Sequence, residues 1–121
     1  MFFVARTRTI TNGVAFRHNS GGRRYGSHFP WGNSQVFFDV GQCCGNARIN
    51  APWGGSSSFL HTWNFISQDV GGDYQAIHRD GVLVNSDNTA DRITWGTSPF
   101  YLGGNGNNTY CLLYTSDAAD E

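Results

Sequence analysis

Short runs that alternate apolar and polar residues recur along the chain, each bounded by glycine, asparagine or serine. A two-residue period places successive side chains on opposite faces of an extended strand. The alternation predicts strands at Phe2–Thr7, Val14–His18, Tyr25–Trp31, Gln35–Val40, Arg48–Trp53, His61–Ser67, Tyr74–Arg79, Val82–Asn85, Arg92–Trp95 and Phe100–Leu102. Between them stand Asn12-Gly13, Ser20-Gly21-Gly22, Gly32-Asn33, Gly45-Asn46, Gly54-Gly55, Gly71-Gly72 and Gly103-Gly104. Strands at such short, regular spacing predict a sandwich or barrel. Asp80-Gly81 is a two-residue link between two runs, and this pair favours a type I′ hairpin, in which both central residues take positive φ. The period also sorts the faces. Val36, Phe38 and Val40 share one side of their strand, with Gln35, Phe37 and Asp39 on the other. His61, Trp63 and Phe65 line up, as do Tyr25, Ser27, Phe29 and Trp31, with His28 opposite. Two sheets packed through their apolar faces satisfy this pattern.

Composition points the same way. The chain has 121 residues, 15% aromatic and 14% charged, with 16 glycines. That length suits one domain. No run approaches the ~20 apolar residues of a membrane-spanning helix, so no membrane insertion is expected. All eight basic residues are Arg, and the one Glu is Glu121. The near absence of Glu and Lys, two good helix formers, and the wealth of Phe, Val, Thr and Gly give an all-β, antiparallel fold. Arg6 and Arg8 interrupt the apolar start before it resembles the core of a secretion signal. It reads as a strand that begins inside a domain.

Residues 111–121, from Cys111 to Glu121, break in composition from what precedes them. They match, residue for residue, one reading frame of a transposase-type sequencing-library adaptor. The native domain is therefore expected to span residues 1–110, as a fragment incomplete at both ends, followed by a non-native tail. Without the tail, three acidic residues leave and the formal charge of −1 becomes +2.

The ordered set Val36-Phe-Phe-Asp-Val-Gly41, Arg48-Ile49, His61-Thr-Trp-Asn-Phe65, Tyr74-Gln-Ala-Ile-His-Arg-Asp-Gly-Val82 and Tyr101-Leu-Gly-Gly104 resembles the laminin G-like, concanavalin A-like lectin/glucanase jelly roll. The resemblance covers roughly residues 1–110. It implies a two-sheet jelly-roll sandwich and a non-catalytic recognition module. Such a module binds carbohydrate or another surface ligand within a larger secreted, cell-surface or phage structural protein. Glycans, cell-surface ligands and neighbouring domains are the expected partners, and nucleic acid is not. The resemblance also raises calcium, which takes oxygen ligands. Asp87 and Asp91 bound the densest oxygen-rich loop, with Asp69 and Asp73 as further candidates, although Asx turns account for such residues equally well.

Three groups of residues carry candidate chemistry. Asp39 beside Phe37 can hold a sugar through hydroxyl hydrogen bonds and ring stacking; the alternative is a buried Asp paired with an Arg such as Arg48, or bonded to loop amides. Arg17-His18, Arg23-Arg24-Tyr25, His28 and Trp31 group donors with aromatics, which suits an anionic glycan because the guanidinium fork matches carboxylate and sulfate. It equally describes a solvated strand edge. Cys43-Cys44 can form a vicinal disulfide. The four His show no metal-ligand spacing.

Catalytic readings fare worse. A retaining glycoside hydrolase needs paired carboxyl groups about 5–5.5 Å apart, which relatives of this fold supply from a Glu-x-Asp-x-Glu strand, and residues 1–110 contain no Glu. A polysaccharide lyase would need Gln and His on one strand face, but Gln75 and His78 fall on opposite faces. A ligand-free structural spacer or decoration domain is the closest rival to a binding module.

Overall fold

The structure, a computed structural model, describes residues 1–6, 13–20, 23–42, 47–55, 59–68, 73–90 and 97–103. Among them are nine strands and no helix: β1 (Phe2–Ala5), β2 (Val14–Ser20), β3 (Arg23–His28), β4 (Gln35–Gln42), β5 (Arg48–Pro52), β6 (His61–Gln68), β7 (Tyr74–Arg79), β8 (Val82–Asp87) and β9 (Phe100–Leu102). Each overlaps a run predicted from the alternation. The remaining run, Arg92–Trp95, lies outside the described residues, as do Asp69, Cys43, Cys44, Asp91 and the whole 111–121 tail.

The strands form two antiparallel sheets, one of four strands in the order β1-β6-β7-β8 and one of five in the order β5-β4-β3-β2-β9. The fold is thus the expected all-β sandwich. β2 to β5 form a meander within the larger sheet, and β6 to β8 another within the smaller. The Asp80-Gly81 link joins β7 to β8 with φ of 54° and 80°, the positive values a type I′ turn requires.

The core lies between the sheets and is mainly aromatic. From the four-stranded sheet Phe3, Trp63 and Phe65 project inward, and from the five-stranded sheet Phe16 and Phe38. Phe65 touches both layers, with ring centroids 5.7 Å from Phe16 and 5.3 Å from Phe38. Trp53 and Phe29, from segments flanking β5 and β3, close one end against Trp63 at 5.4 Å each. Each fully buried ring of this kind is worth about 1.5–3 kcal/mol of transfer free energy.

One face assignment needs correction. Tyr25 and Ser27 do turn inward, but β3 ends at His28, and Trp31 does not continue the inward row. Pro30 has no backbone N–H to give to a ladder. The chain leaves the sheet there, and Trp31 packs instead on the His28 ring, centroid to centroid 4.5 Å.

Candidate ligand-binding face

The outer face of the five-stranded sheet carries the polar half of the alternation. Strand register brings its residues into rows. Tyr101 of β9 stands opposite Arg17 of β2, Arg17 opposite Gly26 of β3, Gly26 opposite Asp39 of β4, and Asp39 opposite Arg48 of β5. On one flank His28, Phe37 and Asn50 form a second row; on the other flank lies Arg24. Residues far apart in sequence thus converge because antiparallel partners point to the same side of the sheet.

Asp39 is the centre of this face and is fully buried. Arg48 engages both of its carboxylate oxygens, Nε toward Oδ1 and Nη2 toward Oδ2 at 2.8 Å, a bidentate fork. Arg24 Nη1 donates to Oδ2 at 3.3 Å. His28 Nε2 lies 3.5 Å from the same oxygen and 3.0 Å from Arg24 Nη1. Burial by itself raises the Asp39 carboxyl; the hydrogen bonds from Arg48 and His28, with the charges of both, outweigh it and hold the group at about 2.

The pairing found is the Asp39–Arg48 alternative read from the sequence. With its oxygens enclosed, Asp39 orients the guanidiniums rather than meeting a ligand itself. Two guanidiniums, of Arg24 and Arg48, share this single carboxylate, and a third, of Arg17, lies on the same face with its Nε donating to Asn19 Oδ1 at 3.1 Å, so the face holds surplus positive charge. Burial, followed by the charge of Arg24, draws the Arg17 guanidinium below its ordinary value, against the opposite pull of Asp39. Arg24 Nε and His28 Nδ1 are buried without a hydrogen-bond partner. Phe37 supplies an apolar surface, with the Arg48 guanidinium 4.8 Å from its ring centroid in a cation–π contact.

The structure therefore brings together Phe37, Asp39, Arg48, Arg24 and His28, with Trp31 joined through His28. Tyr25 stands apart from them. It is turned to the core, 5.4 Å from Phe16 and 5.7 Å from Phe38. Asp87 ends β8 in the other sheet, is exposed, and accepts the adjacent Asn88 backbone N–H at 2.6 Å. Among the described residues no three His, Cys, Asp or Glu side chains gather as a metal site. Asp69 and Asp91, two of the four calcium candidates, lie outside the described residues, and no step is assigned to calcium.

Three members of the face were missed by reading strands singly: Tyr101, Asn50 and Gly26. Gly26 matters for space. A Cβ there would lie 2.9 Å from the Phe16 carbonyl oxygen and 3.3 Å from the Arg17 Cα, both backbone atoms that cannot swing aside. Its sequence signal is a glycine inside a strand, a mark of close backbone approach. Gly26→Ala is expected to cost ~1–3 kcal/mol by overpacking, read as a lower denaturation midpoint with an unchanged m-value.

No protein-family model, curated protein or solved structure matches this chain.

Proposed function

We propose that this domain is a non-catalytic recognition module of the laminin G-like type, and that the outer face of its five-stranded sheet binds an acidic carbohydrate. The observation that carries the reading is the excess of guanidinium over carboxylate around Asp39, flanked by the Phe37, Trp31 and Tyr101 rings. Arg forks match carboxylate and sulfate groups, and aromatic faces stack on the apolar side of a sugar ring. Such a module works outside the cell, on a cell surface or on a virion, as one part of a longer chain. A second reading, a structural domain without ligand, draws on the completeness of the Asp39–Arg48 pairing.

Titration against an array of sulfated, uronate-containing and neutral oligosaccharides, with and without calcium, separates the two. The binding module retains acidic glycans in preference to neutral ones, and added salt weakens the retention because the contacts are ionic. A uniform absence of retention leaves the structural domain as the answer. Phe37→Ala is expected to abolish binding while the thermal unfolding transition stays cooperative. Loss of the fold in that variant would instead make Phe37 a packing residue.

A further inference from the structure

We infer that His61 is a proton-operated clasp that fastens the two sheets together at one end of the sandwich, closed when the imidazole is charged and opened when it is neutral. The inference is independent of any ligand on the opposite face.

His61 opens β6 and is buried. Both of its ring nitrogens meet oxygen atoms. Nδ1 lies 2.7 Å from Asp80 Oδ2, in the β7–β8 turn of the four-stranded sheet, and Nε2 lies 2.9 Å from the Gly54 carbonyl oxygen, just past β5 of the five-stranded sheet. A carbonyl accepts and cannot donate, and so does an ionised carboxylate. Neutral imidazole has one N–H and one lone pair, so it can satisfy only one of these two oxygens. The imidazolium has two N–H groups and satisfies both.

Asp80 is kept as the anion. The Thr62 backbone N–H donates to its Oδ1 at 2.9 Å, and its own N–H donates back to the Thr62 carbonyl at 2.9 Å. That backbone bond first, and the His61 contact second, hold the Asp80 carboxyl below its ordinary value. A further charged group at this end is Arg79 of β7, whose Nη1 donates to the Pro52 carbonyl at 2.7 Å and whose guanidinium lies over the Gly54 Cα. The ring also meets uncharged groups: Ala5 opposite it on β1, and the Trp53, Trp63 and Phe59 rings with centroids 5.6, 6.0 and 6.4 Å away.

The order of release follows from charge. When the ring gives up one proton, the remaining N–H stays with the carboxylate, because a charge-assisted bond is the stronger. The Gly54 bond is lost. Pro52 stays held by Arg79, and Trp53 by its N–H to the Ser34 carbonyl at 2.8 Å. The freed part is Gly54-Gly55, which sits in the left-handed region at φ of 86° and 64°. The clasp therefore opens as pH rises. Because Nε2 faces a carbonyl within the fold, His61 with Asp80 is a structural pair and no general base.

The test uses the full 121-residue chain labelled with nitrogen-15, followed from about pH 5 to 9, the range in which His changes charge. The ring-nitrogen shifts of His61 are expected to show two protonated nitrogens on the acid side and, through one transition, loss of the proton from Nε2 alone. The amide nitrogen of Gly55, in the same peptide as the Gly54 carbonyl, should shift through the same transition as that carbonyl loses its hydrogen bond. In Asp80→Asn both changes should move together to lower pH. Deprotonation at Nδ1, or a Gly55 amide nitrogen that ignores the His61 transition, overturns the inference. So does the same Gly55 shift in His61→Gln.

Discussion

Trp63→Ala is expected to cost ~3–5 kcal/mol of stability, the range for removing a fully enclosed indole from a packed core. Trp63 is 0% exposed and sits near the start of β6, between its register partners Phe3 and Arg79. Its ring meets Trp53 and Phe29 at 5.4 Å each and lies parallel to Phe65 at 6.4 Å. These partners belong to both sheets and to the segments that close the sandwich end. Collapse into the vacated volume would have to move several rings at once, so little of the cavity can be recovered. Denaturant titration of both proteins gives the difference directly. A loss below ~1 kcal/mol would mean that the rings do not enclose Trp63, and the two-layer core would have to be redrawn.

The same alternation that marks Trp63 made most of this architecture legible. In Val36-Phe-Phe-Asp-Val, an apolar side and a mixed side are evident from spacing alone, and the structure buries Val36, Phe38 and Val40 accordingly. The hairpin at Asp80-Gly81 was legible because few residue pairs tolerate two successive positive φ values. Trp31 was not, since its parity assumed a strand that Pro30 ends. The candidate face was legible only in pieces. Phe37, Asp39 and Arg48 could be grouped from neighbouring strands, with a buried Asp39–Arg48 pair among the readings, but the convergence of Arg24 and His28 on the same carboxylate could not. A strand's polar side is ordinarily solvated, and only the register that sets Arg24, His28 and Arg48 around one carboxylate encloses it. Tyr101 joins the face across β2, a pairing between distant segments that no local pattern encodes. Tyr25 shows the converse: next to Arg24 in sequence, it points to the opposite side because adjacent strand residues always do.

Asp39 carries the second large effect. Asp39→Asn keeps the side chain's shape but removes the charge that two guanidiniums share. Breaking a buried pair by neutralising one partner costs 3–5 kcal/mol when the other charge is left enclosed. Here the Arg24 and Arg48 side chains retain 15% and 20% exposure, so both can turn partly to solvent. A loss of about 3 kcal/mol at neutral pH is therefore expected, at the lower edge of that range. The acid limb gives an independent check. The Asp39 carboxyl is depressed from 3.8 to about 2 in the folded protein. A carboxyl whose folded value lies below its unfolded value stabilises the fold at pH above the unfolded value, and that contribution disappears as pH falls through the folded one. The window thus runs from about pH 4 down to pH 2, and the contribution at stake is about 2 kcal/mol at 1.36 kcal/mol per pH unit. The other carboxyls are common to both proteins, so the difference between wild type and Asp39→Asn isolates this one group. That difference should be largest at neutral pH and shrink by about 2 kcal/mol on acidification to pH 2. A gap that stays constant from pH 7 to pH 2 would show that Asp39 is ordinary and solvated, and the guanidiniums would then lose the anchor that aims them outward.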